Sequence, residues 1–487
     1  MTRVTLAALS FVLISCIGDP ADLTGGPDAG PPDADHPDTG EPDTSEPDTG
    51  DRDTGGPDAG GPDTGDRDTG GPDADTDTNG VDPDACNPTA TPFGSGPYSD
   101  EDPNLICSIE HLRAIKDHLD GHFLMNEDMT LDANLEPIGS FEEPFTGRFD
   151  GGGNTLQGLS VQIDEPFVGL FGAIDGATIE HLTIEDATIH GSGPVGILAG
   201  EMKDGLVSHV VVSGTVNADN PDMDQVGGLV GRIEGGEILD SHVEAVVHGR
   251  TQVGLLVGRQ SFGDITNPTE IRGCSARGQV HAAREVGGLV GRSEGLIEQS
   301  FVFSVNADPT TIELRLFQGG AMGPEGTGGL VGTCVGCKLA ETSAEGVEMQ
   351  YLENAVAINV GGLVGWVDGD SVINNSYVRG GDLGDSEPNS MGRLVGAVGS
   401  GSVEIHHNYS TIAVPHDDLC LVSRDGGEPD VYESYFPLDA GQDDRCEEEG
   451  RADFSTLEPF MEWQDEIWIK ETTSIAAGHG PDHVYRE

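Results

Sequence analysis

The chain has 487 residues, 73 of them Gly and 29 Pro, and only 5% are aromatic. Its formal net charge is −64, with 23 Lys plus Arg against 87 Asp plus Glu. Nucleic-acid binding relies on cationic side chains that displace counterions from phosphates, so DNA and RNA partners are excluded, and anionic lipid headgroups are repelled as well.

Residues 1–15 read as an export signal. Arg3 supplies positive charge, and the apolar run from Val4 to Ser15 is too short to span a bilayer. The run ends Leu13-Ile14-Ser15-Cys16, which resembles a bacterial lipobox. That resemblance implies cleavage before Cys16 and acylation of both its thiol and its freed amine. Several acyl chains anchor a protein stably where one is marginal. Ile17 follows the cysteine, and resemblance to enterobacterial sorting then implies the outer membrane of a bacterial envelope, facing the cell surface. An ordinary secretory signal with an incidental cysteine is the competing reading.

Residues 16–85 form the next segment, in which the chain from about Gly25 to Ala85 repeats an acidic pentapeptide of the form Pro-Asp-Thr-Gly-Glu and holds almost nothing that could build a core. Low hydrophobicity with like charge predicts a disordered tether. Pro and self-repulsion extend it, to about 150–200 Å at full stretch. Its expected role is to hold the folded part clear of the membrane. Within it, Asp75, Asp77 and Asn79 precede Gly80 in the pattern that opens a calcium loop. The bidentate Glu of such a loop should stand at Cys86, and the surrounding pentapeptides generate Asp-x-Asp unaided, so solvated linker competes with calcium as the reading. No other cofactor is expected. The acid excess continues beyond the tether, which suggests a salt-adapted host; the plainer alternative is an ordinary acidic surface.

Residues 144–410 carry one segment again and again: VGLFG (168–172), VGILAG (195–200), VGGLVG (226–231), VGLLVG (253–258), VGGLVG (286–291), TGGLVG (327–332), VGGLVG (360–365) and MGRLVG (391–396). The copies recur every 27 to 41 residues, the signature of a solenoid. After most copies come a polar turn, then Ile or Val, then Ser three residues on, as in Ile238 with Ser241, Ile297 with Ser300 and Ile373 with Ser376. Short β-branched runs separated by Gly predict strands. The expected fold is all-β: a right-handed parallel β-helix with two or three strands per coil and aliphatic ladders inside. Coils stacked about 4.8 Å apart would give a rod of roughly 40 Å. A propeller fits less well, because it needs longer repeats and more aromatics.

VGGLVG resembles the GLUG motif of bacterial surface proteins, which also occurs as an accessory region in some exported peptidases. The segment 108–161 is similar to the start of that family, and SYFPLD (434–439) and FMEWQDEIW (460–468) to its close. The resemblance implies an N-terminal cap over 86–143, with a helix at Ile109–Leu119 presenting Ile109, Leu112, Ile115 and Leu119 on one face, and an irregular C-terminal cap over 411–487. It implies a fold and carries no catalytic residues.

An exported chain favours disulfides. Cys86 with Cys107 and Cys420 with Cys446 are the candidate pairs. Cys334 and Cys337 form a lone CxxC, read as a local disulfide or as two wall cysteines, and Cys274 is read as buried in the wall. Gly478-His479-Gly480 matches a tripeptide of polygalacturonases, but the clustered strand aspartates of such enzymes have no counterpart here. Asp417, Asp418, Asp443 and Asp444 read as loop residues. His406 and His407 should point to opposite faces of a strand and not chelate together, with or without His416. The functional expectation is a non-enzymatic surface lipoprotein that binds a protein or glycan, with the membrane as partner through its anchor. The rival readings are a carbohydrate-active enzyme and a purely structural spacer.

Overall fold

The computed structural model describes residues 103–423 except 219–223, 264–267, 305–309, 315–324, 352–358, 385–389 and 413–421, and beyond 423 the backbone of short strands between 430 and 485. The chain divides into two units, Met1–Asp77 and Thr78–Glu487, and every described residue belongs to the second. The signal, Cys16, the tether and the calcium candidates Asp75, Asp77 and Asn79 lie outside the described residues.

The second unit is a parallel β-solenoid. One coil shows the plan: Gln225–Gly227, Val230–Glu234, Glu237–Leu239 and His242–His248 each join a different sheet. Among the described residues these four sheets hold 7, 8, 12 and 13 strands, all paired in parallel. The count of four strands per coil corrects the expected two or three. VGGLVG is not one strand: the chain bends at Gly228-Leu229, so Gly227 ends a strand of one sheet and Val230 opens a strand of the next. A six-residue apolar run hides that corner from a periodicity argument.

In-register pairing builds the expected ladders. Val195, Val226, Val253 and Val286 stack in the first sheet. Val230, Val257, Val290, Val331, Val364 and Val395 stack in the second. Ile179, Val207, Ile238, Ile271, Ile297, Leu339, Ile373 and Ile405 stack in the third. All of these side chains are fully buried. The last Gly of the motif is needed for space and not for a left-handed backbone. A Cβ on Gly231 would lie 2.4 Å from the Val195 nitrogen, and one on Gly258 or Gly291 would lie 2.3 Å from the nitrogen of Val226 or Val253.

The corner between the third and fourth sheets explains the Ile-x-x-Ser pattern. From the strand ending at Glu180 to the one ending at His406, the residue after the third-sheet strand is left-handed: His181, His209, Asp240, Gly273, Gln299, Glu341, Asn375 and His407, with φ between 45° and 65°. The next residue turns inward. Ser300 Oγ accepts from the Cys274 N–H of the preceding coil at 3.1 Å and donates to Glu298 O at 2.7 Å. Ser241 and Ser376 repeat this with Val210 and Thr342. These hydroxyls satisfy backbone groups that the corner would otherwise bury unpaired. Ser300→Ala is expected to cost about 1–3 kcal/mol in urea unfolding, because the Cys274 N–H loses its acceptor. Ser300→Cys should cost less, since Cys274 fills the same place in its own coil.

At the N-terminal end, Asn104–Ile106 pairs with His122–Met125, which pairs with Arg148–Asp150. The third sheet therefore begins before residue 144. Ser108 caps a helix over Ile109–Ala114, followed by a 3-10 turn over Ile115–Asp117. The α-helix is shorter than expected because the chain must turn back within a few residues to enter the strand at His122. The expected face is apolar as read: Leu112 and Ile115 are fully buried, and Ile109 and Leu119 pack against the core. Phe145 fills the first coils against Phe123 and Phe171, at 6.1 and 5.0 Å between ring centroids.

Candidate functional site: a polar groove over the first and second sheets

Parallel register copies a side chain from coil to coil, so any outward position becomes a column. The column immediately after the motif glycine reads Glu201, Arg232, Arg259, Arg292. Stacking three guanidinium groups is repulsive, and carboxylates hold each one. Arg232 pairs with Glu201 and, at 3.6 Å, with Glu234. Arg259 lies 3.4 Å from Glu294. Arg292 reaches Glu285 at 2.9 Å and Glu294 at 2.8 Å. Burial works against the Arg292 charge, but Glu285 and Glu294 outweigh it and raise its pKa. Arg284 pairs with Glu325.

A second column, immediately before the motif, runs beside the first. Gln225 Nε2 donates to Gln252 Oε1 at 2.9 Å, and Gln252 Nε2 donates to Glu285 Oε2 at 2.8 Å. Gln252 and Glu285 are left-handed, with φ of 55° and 48°. Asp224, 1% exposed, anchors the rim: its carboxylate accepts from the N–H groups of Arg250 and Thr251 and from Thr251 Oγ1. Burial pushes the carboxyl pKa of Asp224 up, and that of Glu201 as well, the latter against the pull of Arg232. Arg232 and Arg259 of the first column and Gln225, Gln252 and Glu285 of the second line a groove of about 420 Å³ whose wall also includes Phe167 and Pro194. Phe167 has φ of 62°, an outlier for a bulky side chain. It stacks on Phe141 at 4.9 Å, and Phe141 is 58% exposed.

The groove therefore offers planar, oriented donors and acceptors with an aromatic surface at one end. Its carboxylates are already engaged by arginine, amide or backbone groups. The sequence carried a signal for it that was missed: Gly-Arg follows the motif three times, at Arg232, Arg259 and Arg292, in a chain with only 23 basic residues. A second groove of about 390 Å³ lies over the fourth sheet, floored by Gly214, Ala245 and Gly278 and flanked by the Arg277–Glu244 pair.

Among the described residues, none of the site candidates singled out from the sequence lines either groove. Cys107 is disulfide-bonded, while Cys86, its expected partner, and the Cys420–Cys446 pair lie outside the described residues. So do Asp417, Asp418, Asp443, Asp444, His416 and His479. Cys334 and Cys337 form a buried local disulfide. Cys274 is a buried free thiol whose pKa burial pushes up to about 12, so it is inert as a nucleophile. The expectation for His406 and His407 is corrected: their Nδ1 atoms lie 3.1 Å apart. His407 sits at the left-handed corner, with φ of 56°, and strand alternation ends there. Outside the grooves, Asp150, Glu180 and His181 bring ligand atoms within 4.8 Å of one another.

No family model matches the chain. It is 34% identical over 163 residues to halomucin of Haloquadratum walsbyi, a match that covers 30% of this chain and 2% of that protein. It is 32% identical over 188 residues to a protein of Evansella cellulosilytica named as a Gly-rich membrane protein, covering 36% of this chain and 22% of that one. Among solved structures, a Bacteroides ovatus protein named for the immunoglobulin A1 proteases aligns over 81% of this chain and 96% of its own, with 14% identity and a TM-score of 0.37. The chain thus spans about a fifth or less of the curated relatives it matches, and what those matches share with it is a stretch of sequence.

Proposed function

We propose that the chain is a non-enzymatic module of a bacterial cell envelope, anchored through Cys16, extended on residues 16–85, and binding a neutral glycan in the groove of Arg232, Arg259, Gln225 and Gln252. The observation that carries this reading is the pairing inside the groove. Sugar hydroxyls are both donors and acceptors, and they fit a surface of fixed amides, guanidinium groups and carboxylates beside an aromatic face. An acidic polymer fits it poorly, because the arginines are already neutralised and the surrounding surface is acidic. A general acid or base needs a carboxyl group turned to the ligand with its proton site open, whereas Glu201, Glu285 and Asp224 are held. The names of the two curated relatives, one a mucin by name and one a membrane protein, agree with an envelope setting.

The test is an array of neutral and acidic oligosaccharides probed with the full chain. Binding confined to neutral glycans is expected, and Gln252→Ala should weaken it by about 5–10-fold, the worth of one or two neutral hydrogen bonds. Silence on neutral glycans would sink the reading. Release of new reducing ends from a bound glycan would instead favour a carbohydrate-active enzyme, for which Asp150 and Glu180 on adjacent coils are the first carboxylates to replace.

A further inference from the structure

We propose a divalent transition-metal site at the third-sheet corner formed by Asp150, Glu180 and His181. The site is independent of the glycan reading. Asp150 and Glu180 are in-register partners at the ends of neighbouring strands, and His181 follows Glu180 at the left-handed corner, with φ of 50°. Coil stacking therefore converges three ligands of two chemical types on one point. His181 Nδ1 lies 3.3 Å from Asp150 Oδ1. That is long for a charge-assisted hydrogen bond, and it is about the edge of a tetrahedron whose centre lies 2.0–2.1 Å from each ligand. All three side chains can be reached from solvent, being 27%, 13% and 48% exposed for Asp150, Glu180 and His181. One imidazole with two carboxylates suits zinc, cobalt or nickel better than calcium or magnesium, which prefer all-oxygen sets. The next corner places the His209 ring 5.3 Å from that of His181.

Arg148, on the same strand as Asp150, pairs with Glu180. Its guanidinium occupies the place of a cation beside that carboxylate, so metal must compete with it. This gives the site a signature that a purely structural cluster lacks: removing a positive charge should tighten metal binding.

The experiment is titration of the full chain with Co²⁺, followed by the visible absorbance that rises when the ion leaves octahedral water for a protein site with fewer ligands. A saturable one-to-one phase is expected. His181→Asn and Asp150→Asn should weaken it by about tenfold or more, since even groups that only support a metal ligand are worth about 10–100-fold. Asn at 181 keeps the corner backbone, because Asn375 holds the same position with φ of 47°. Arg148→Gln should tighten binding several-fold. Identical isotherms for the native chain and both ligand variants, or weaker binding in Arg148→Gln, would overturn the site.

Discussion

Gly258→Ala is expected to split the unfolding of the solenoid into two transitions and to lower the first well below that of the native chain. The added Cβ would stand 2.3 Å from the Val226 nitrogen and 2.6 Å from Gly231 O. Both are backbone atoms of the neighbouring coil, so no rotamer change relieves the contact. Overpacking among side chains costs about 1–3 kcal/mol, and a clash against fixed backbone belongs at or above the top of that range. A stacked array adds a consequence that a globular core would not show. Each coil is stabilised mainly by its two neighbours, so one spoiled interface uncouples the coils on either side. Hydrogen exchange should locate the lost protection at Val226–Glu234 and Val253–Ser261, while the ladders on either side stay protected. A single transition at the native midpoint would mean that the motif glycine is not fixed by close approach.

Molar NaCl is expected to raise the melting temperature. Cations are outnumbered by 87 acids to 23, so the excess negative charge repels itself. Raising salt from about 0.1 M to about 1 M shortens the screening length from about 10 Å to about 3 Å. Salt also weakens the partly exposed arginine pairs, but cations are few beside the acids. Each titrating group contributes with a definite sign. Burial raises the pKa of Glu201, Asp224 and Glu341, so the folded state binds more protons than the unfolded one near those values. Their contribution is fully present below the ordinary carboxylate range and is lost as pH rises through the folded values. His242 acts the other way: burial, aided by Arg277, lowers its pKa, and its contribution is lost as pH falls below about 6.5. The carboxylates therefore stabilise as pH falls toward their ordinary range, and His242 opposes them from about pH 6.5 downward. Calorimetry over a grid of salt and pH reads both effects. A flat response to NaCl would count against self-repulsion as the main electrostatic burden.

The fold was legible because the repeat states its own contacts. Val226, Val253 and Val286 stand in the same place in their copies, and parallel stacking leaves them one choice of neighbour. The Ile-x-x-Ser spacing was visible as a pattern, but its cause, a hydroxyl serving the coil before it, needs three dimensions. The number of strands was misjudged because the corner at Gly228-Leu229 falls inside an unbroken apolar run. The site was harder. Arg232, Arg259 and Arg292 are ordinary residues singly, and they become a column only when register is known. Gln225 and Gln252 give no signal in a single copy. Asp150, Glu180 and His181 are close because two coils stack, which no motif of adjacent residues can express.

A binding isotherm for a neutral oligosaccharide that the array retains, measured on three full-length chains, tests the groove most directly. The chains are the native one, Arg259→Ala and Arg277→Ala. Arg259 lines the proposed groove, whereas Arg277 belongs to the separate groove over the fourth sheet. A hydrogen bond from a charged donor is worth about 1.5–3 kcal/mol, or about 10–100-fold in affinity. Arg259→Ala should weaken binding by that factor, and Arg277→Ala should leave it at the native value. Equal affinity in all three chains, or a loss confined to Arg277→Ala, would contradict a glycan site in the arginine groove.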